Sequence, residues 1–190
     1  MNENPQRDLF GVEPCAIEIL IAMVPDAPLQ QAIDAQRRHW QWPPGVSFAP
    51  RRRLHLTLQK PGWVHLDRLA EVHAALSDIP VSEMHLVLRQ HERWRVAVLR
   101  VEEHPALRDL QQRVTLALLR LKLPVRRAWT PHVTLARDIG QSAMPPTDTQ
   151  PLHWRAGDFS LIWSKRVPVA AHQVLARYGA RSLWPMCTNR

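Results

Sequence analysis

His55-Leu56-Thr57-Leu58 and His132-Val133-Thr134-Leu135 are two copies of one four-residue pattern, with their histidines 77 residues apart. In an extended strand successive side chains point to opposite faces, so His55 and Thr57 share one face while Leu56 and Leu58 share the other. The second copy divides in the same way, with His132 and Thr134 outward and Val133 and Leu135 turned to a core. Each copy therefore offers an imidazole and a hydroxyl about 7 Å apart, on a rigid element with a buried back. A free imidazole titrates at about pH 6.5, so near neutrality one histidine can accept a proton while another donates one. Hydroxyls donate to anionic oxygens without adding charge. Two such copies facing each other make a phosphate site. Composition alone gives roughly a third of one His-x-Thr triplet by chance, so one copy means little and two mean considerably more.

The elements that must position these strands follow from the apolar pattern. Ala16 to Val24 is apolar except for Glu18 and reads as a buried strand. Asp26 caps a helix whose face is marked by Leu29, Ile33, Arg37 and Trp40, and which stops before Pro43-Pro44-Gly45. Arg51-Arg52-Arg53 leads into the first motif strand, about Leu54 to Gln59, which Pro61-Gly62 ends. Leu66, Leu69, Val72 and Leu76 predict a second helix. Val81 to Leu88 and Trp94 to Val101 predict paired strands, with His91-Glu92-Arg93 near the turn. Pro105 opens the clearest helix, striped by Leu107, Leu110, Val114, Leu118 and Leu121. Arg126-Arg127 then precedes the second motif strand. A loop rich in Pro and Thr, from about Ser142 to Pro151, separates it from a strand over Asp158 to Ser164, which Gln173 to Tyr178 could pair. This order is α+β with a largely antiparallel sheet, and it contains a weak internal duplication: in each half a helix precedes an arginine-bearing approach to a motif strand.

The chain has 190 residues and 45% hydrophobic content, enough for one domain or two small lobes with a core. Its formal charge of +8, from 25 Lys and Arg against 17 Asp and Glu, suits an anionic partner, most commonly nucleic acid. Met1 to Phe10 is polar and charged, which gives no secretory signal, and no apolar run approaches a bilayer's width. The expectation is a soluble, cytoplasmic protein without membrane attachment. Cys15 and Cys187 are too few for a metal cluster and are expected to remain thiols. The histidines outside the motifs, His39, His65, His73, His85, His91, His104, His153 and His172, have no partner at convincing ligand spacing and read as surface or structural residues, so neither a metal site nor a cofactor is expected.

The paired motifs resemble the signature of the two-histidine (2H) phosphoesterases. The context Pro131-His132-Val133-Thr134-Leu135-Ala136-Arg137 is most similar to the LigT-like RNA 2',3'-cyclic phosphodiesterases, long called 2'-5' RNA ligases. The opening strand, the helix at Pro105, the Phe159-Ser160-Leu161-Ile162-Trp163-Ser164 strand and Tyr178 with Leu183-Trp184-Pro185 extend the resemblance over most of the chain from about Cys15. It implies two pseudo-symmetric lobes in residues 15–190, each an antiparallel sheet backed by helices, with the active site in the cleft between them, after a loose tail over 1–14. Two segments depart from the family's usual pattern, Gln59-Lys60-Pro61-Gly62-Trp63 and Gln90 to Arg95, and both bear on substrate choice.

The resemblance implies that His55 and His132 are catalytic and that Thr57, Thr134 and Arg137 hold the substrate phosphate. In a regular strand Arg137 falls on the face opposite His132, so a salt bridge competes with that role unless the strand bends. Arg53 and its neighbours either guide RNA or form a solvated turn. Gln59 shares the motif face and is a rim candidate. Phe48, Trp63 and Trp163 are the aromatic candidates for stacking on a base, against a default of core packing. The activity implied is that of a monomer hydrolysing RNA 2',3'-cyclic phosphate ends to a 2'-phosphate, with reversible 2'-5' joining as a related capability. For that substrate the lean is to His55 as acid and His132 as base, although the sequence does not orient the ribose. A phosphodiesterase for 2'-5' oligonucleotides or another small cyclic phosphate is the enzyme alternative, and an RNA-end-binding module without turnover is the other.

Overall fold

The computed structural model describes residues 15–165 and 171–179. The expected N-terminal tail, the Leu183-Trp184-Pro185 segment and Cys187 lie outside these residues, and Cys15 is an exposed thiol. The first strand, β1 (Ala16–Met23), is buried along its whole length. Ile17, Ile19, Ile21 and Met23 enter the main core, whereas Leu20 and Ala22 cover the opposite face together with Ile162. Burial on both faces explains the unbroken apolar run. Helix α1 (Ala27–Gln36) starts where Asp26 accepts a hydrogen bond from the Leu29 amide at 3.0 Å. Its Leu29 and Ile33 are buried, and a single 3-10 turn over Arg37–His39 delivers Trp40 to the core.

The remaining elements are β2 (Ser47–Phe48), β3 (Leu56–His65), α2 (Leu69–Ser77), β4 (Met84–Arg93), β5 (Ala97–Val101), α3 (Pro105–Arg120), β6 (His132–Arg137), β7 (Leu152–Ala156), β8 (Asp158–Lys165) and β9 (Ala171–Gly179). All strands pair antiparallel in the order β7-β4-β5-β6-β3-β1-β8-β9, with β2 added against the far end of β6. The fold is α+β, as the alternation predicts. The sheet consists of two four-stranded halves. A single residue pair, Leu56 with Val133, joins β3 to β6 at the centre. The duplication is structural as well: β1-α1-β3 and β5-α3-β6 are each a strand, a helix and a motif strand that returns antiparallel to the first.

The helices cross over. α1 follows a strand of one half but packs on β7 of the other, while α3 follows β5 and packs on β3, with α2 between α3 and β9. Leu107, Leu110, Val114 and Leu118 are the buried stripe of α3, as their spacing predicts. Among the described residues no helix is long and apolar enough to cross a membrane.

Two expectations are corrected, and one strand is additional. β3 does not end at Pro61-Gly62. It runs on to His65, because Pro61 falls in an irregular stretch and Gly62 adopts φ +90°, a conformation costly for residues with a Cβ. The paired strands are shifted from their expected bounds, β4 running on through His91-Glu92-Arg93 and β5 starting at Ala97, while His91-Glu92-Arg93 does adjoin the turn, Trp94 to Val96. β7 was not foreseen, since its five residues follow a proline-rich stretch and owe their extended form to pairing with β4.

Candidate active site

The two motifs meet where the halves join. His55 precedes β3, just after the 3-10 turn over Arg51–Arg53, and His132 is the first residue of β6. His55 Nδ1 lies 2.6 Å from the Arg53 carbonyl, and His132 Nδ1 lies 2.7 Å from the Thr130 carbonyl. A carbonyl oxygen only accepts, so Nδ1 donates in both rings and each neutral imidazole keeps its lone pair on Nε2. The backbone two residues upstream thus sets the same tautomer twice.

Each motif strand carries a bulge at the same place. Along β1 and β3, Ala22 pairs with Thr57 and Ile21 with Gln59, which leaves Leu58 as the extra residue. Along β5 and β6, Val98 pairs with Thr134 and Ala97 with Ala136, which leaves Leu135 as the extra residue. Both extra leucines are buried. A bulge reverses the alternation beyond it. Arg137 therefore returns to the face of His132 and Thr134, and its charge acts on both motif histidines.

The same bulge corrects the placement of Gln59. Its side chain turns to the helix side and is 1% exposed, donating to Thr115 Oγ1 at 2.8 Å and to the Arg126 carbonyl at 3.0 Å, and accepting from the Arg126 amide at 3.0 Å. Gln59 is a clamp between the first motif strand and the approach to the second. Trp129 makes a parallel tie, donating from Nε1 to the Thr57 carbonyl at 2.7 Å. Lys60 takes the motif-face position in place of Gln59, with its ammonium 2.8 Å from Glu18.

Burial governs the electrostatics. It pushes the His55 imidazole down to about 4, and the charges of Arg53 and Arg137 add to the effect against the opposing hydrogen bond to the Arg53 carbonyl. His132 is also lowered, first by burial and then by Arg100, Arg126 and Arg137. Both rings are thus neutral near pH 7 in the free protein. Each is also packed edge-to-face against another ring: His55 against His172 at 4.9 Å, and His132 against Trp94 at 4.9 Å. Trp94 is 39% exposed and is fixed by a 2.6 Å hydrogen bond from Nε1 to Glu92.

The other candidates are distributed unevenly. Arg53 is at the site, its Nη2 being 3.4 Å from His172 Nε2. Trp63 pairs with Glu18 and so shares the motif face, half-buried beyond Lys60. Phe48 pairs with the core residue Ala136, which turns it to the helix side, where it lies under the Arg37 guanidinium at 5.0 Å. Trp163 is opposite Ile19, packs against the main core and carries the Lys165 ammonium 4.1 Å from its ring centre. Phe48 and Trp163 therefore face away from the motif histidines and are not placed to stack on a base there. Among the described residues no three His, Cys, Asp or Glu side chains are grouped to hold a metal ion.

Lys60, Trp94 and His172 were missed. Superposing the copies as His-Leu-Thr-Leu-Gln-Lys and His-Val-Thr-Leu-Ala-Arg places Lys60 opposite Arg137 and was a sufficient signal for it. Nothing local marks Trp94 or His172, which reach the motifs through strand pairing.

Two antiparallel half-sheets with a matched pair of His-x-Thr strands at their junction define a two-histidine phosphoesterase. The model of the 2'-5' RNA ligase superfamily matches residues 25–168, which include both motifs, and the chain belongs to that superfamily. The structure is similar to Escherichia coli LigT complexed with NADP+, at 22% identity and TM-score 0.75, covering 86% of this chain and 98% of that one. It is similar to a crystal structure of a phosphoesterase at 20% identity and TM-score 0.77, covering 86% and 97%. It is also similar to TT0787 of Thermus thermophilus, at 21% identity and TM-score 0.67, covering 87% and 99%. E. coli LigT is also known complexed with 3'-AMP. A search of the curated proteins finds no match.

Proposed function

We propose that this protein opens RNA 2',3'-cyclic phosphate ends with water and leaves a 2'-phosphate. The observation that carries the reading is the matched pair of imidazoles, each with Nδ1 tied to the backbone and Nε2 left for proton transfer. One Nε2 takes a proton from water as its oxygen attacks phosphorus. The bond from phosphorus to the ribose 3'-oxygen breaks, and the other ring, as imidazolium, donates its proton to that oxygen. Base and acid have then exchanged protonation states and are reset by solvent. Thr57 and Thr134 donate to the non-bridging oxygens, and Arg137 adds charge there.

Because both rings are neutral near pH 7 in the free protein, the proton for the acid must be favoured by the anionic phosphodiester itself. His55 is pushed down to about 4, which works against the acid role the sequence suggested for it and suits it as base. An acid-base pair that lets water open the ring also lets a 5'-hydroxyl open it, so 2'-5' joining is the same chemistry with another nucleophile. Two histidines and the donors around them supply all the proton transfers, and the reading is metal-independent. Superfamily membership supports it, as does the binding of NADP+ and 3'-AMP by E. coli LigT.

The test is turnover of an oligonucleotide ending in a 2',3'-cyclic phosphate, with EDTA present, beside His55→Ala and His132→Ala. The expected result is a 2'-phosphate product that requires both histidines. Folded wild-type protein that binds this RNA without turning it over would instead indicate an end-binding module.

A further inference from the structure

Lys60 stands to His55 as Arg137 stands to His132, five residues on and past the same bulge. Glu18, which holds its ammonium, is a buried carboxylate on the adjacent strand and the same face. An ammonium has three donors, so one ion pair fixes its position without exhausting it. Further along the motif face β9 contributes His172, paired with Ser164. Arg53 approaches the same ring, and because a guanidinium only donates, His172 Nε2 accepts and the neutral ring carries its proton on Nδ1. Burial first, then the charges of Arg53 and Lys60, pushes His172 down to about 3, so the ring is neutral near pH 7. Arg53 Nε is buried and has no hydrogen-bond partner. The Arg53 guanidinium, the anchored Lys60 ammonium and the His172 ring are thus gathered on the flank of His55 that meets His172. The corresponding flank of His132 holds the Trp94 indole instead.

We propose that Arg53, Lys60 and His172 form a second anion subsite, which takes a phosphate on the 5' side of the reacting nucleotide. With His172 neutral, the two cations exceed the one carboxylate of the cluster among the described residues, so the cluster favours an anion. The reaction itself needs only the cyclic phosphate. A subsite one nucleotide away would select ends that carry a further phosphate, as a terminal 5'-phosphate or as the next phosphodiester of a strand. The inference rests on the hydrolysis proposed above.

Its test compares three substrates: a nucleoside 2',3'-cyclic phosphate with a free 5'-hydroxyl, the same with a 5'-phosphate, and a dinucleotide ending in the cyclic phosphate. The expected gain in kcat/KM from the added phosphate is about tenfold, mostly in KM. A 5'-phosphate that matches the dinucleotide identifies the phosphate group alone as the ligand, whereas a gain confined to the dinucleotide identifies the backbone diester. Glu18→Gln combined with Lys60→Met removes the ion pair without orphaning a buried carboxylate. It should collapse the preference and reduce the salt slope of log kcat/KM for the dinucleotide by about 0.7, the value of one single-strand phosphate contact. Lys60→Arg should retain both. A wild type without the preference, or a double variant that keeps it, overturns the subsite. If the wild type turns over none of the three, hydrolysis is the reading that fails. The subsite is then read by titration with adenosine 5'-phosphate against adenosine, where equal affinity for the two overturns it.

Discussion

The two halves of the molecule agree in backbone and differ in what surrounds it. Each supplies a histidine tied through Nδ1 to the carbonyl two residues upstream, a threonine, a buried extra leucine and then a cation. Beyond those positions the likeness ends. His55 is set among polar groups, with His172, Arg53 and the Lys60-Glu18 pair on its side. His132 is set beside a half-open indole, with Arg100 paired to Glu92 at 3.0 Å. On the proposed mechanism the shared backbone makes the acid-base pair, and the differing flanks give a substrate its direction: phosphate towards one half, base towards the other.

The largest expected effect tests whether the halves do equal work. His55→Ala and His132→Ala should each lower kcat by about 10² to 10⁴, and losses differing by more than tenfold would show that one proton transfer dominates. Arg137→Met probes the cation proposed for the reacting phosphate and should lower kcat/KM by about 10²; the steady-state parameters of this variant beside those of the Glu18→Gln/Lys60→Met double variant show whether the two positions are equivalent. Trp94→Ala removes the indole from the His132 side. It should raise KM for RNA ends by about tenfold and leave Trp94→Phe close to wild type, if the ring stacks on a base.

The pH profile is a subtler measure. The proposed mechanism shares one proton between two rings that burial holds below 6.5, one of them at about 4. The maximum of kcat/KM, which reports the free enzyme, should therefore fall on the acidic side of 6.5 and decline through neutrality as the proton is lost. A maximum above pH 7 would contradict the burial described for both rings. The smallest effect on chemistry is expected from Gln59→Leu. It strands the Arg126 backbone groups and should cost about 1–3 kcal/mol in urea unfolding, with little change in the shape of the pH profile.

Much of the layout is legible in the sequence because the strongest elements announce themselves. The α3 stripe, the Asp26 cap and the apolar β1 run form as their residue types dictate. The motif histidines and threonines are legible because the pattern is doubled. What alternation could not foretell is a bulge. Counting by twos puts Gln59 on the motif face and Arg137 off it, and one extra leucine in each strand reverses both. Trp163 and Phe48 have the composition of base platforms but sit on the core side, a fact set by strand pairing. β7 depends on β4 in the same way.

The crossed helices have a consequence for how the molecule comes apart. Since α1 backs the half it does not belong to, and α3 does the same in return, neither half can complete its core from its own stretch of chain. The arrangement resembles an exchange of arms between two subunits, closed within one polypeptide. Unfolding should then be a single cooperative event, and one imidazole should not be found in place while its counterpart is loose. The site is consequently assembled whole or not at all.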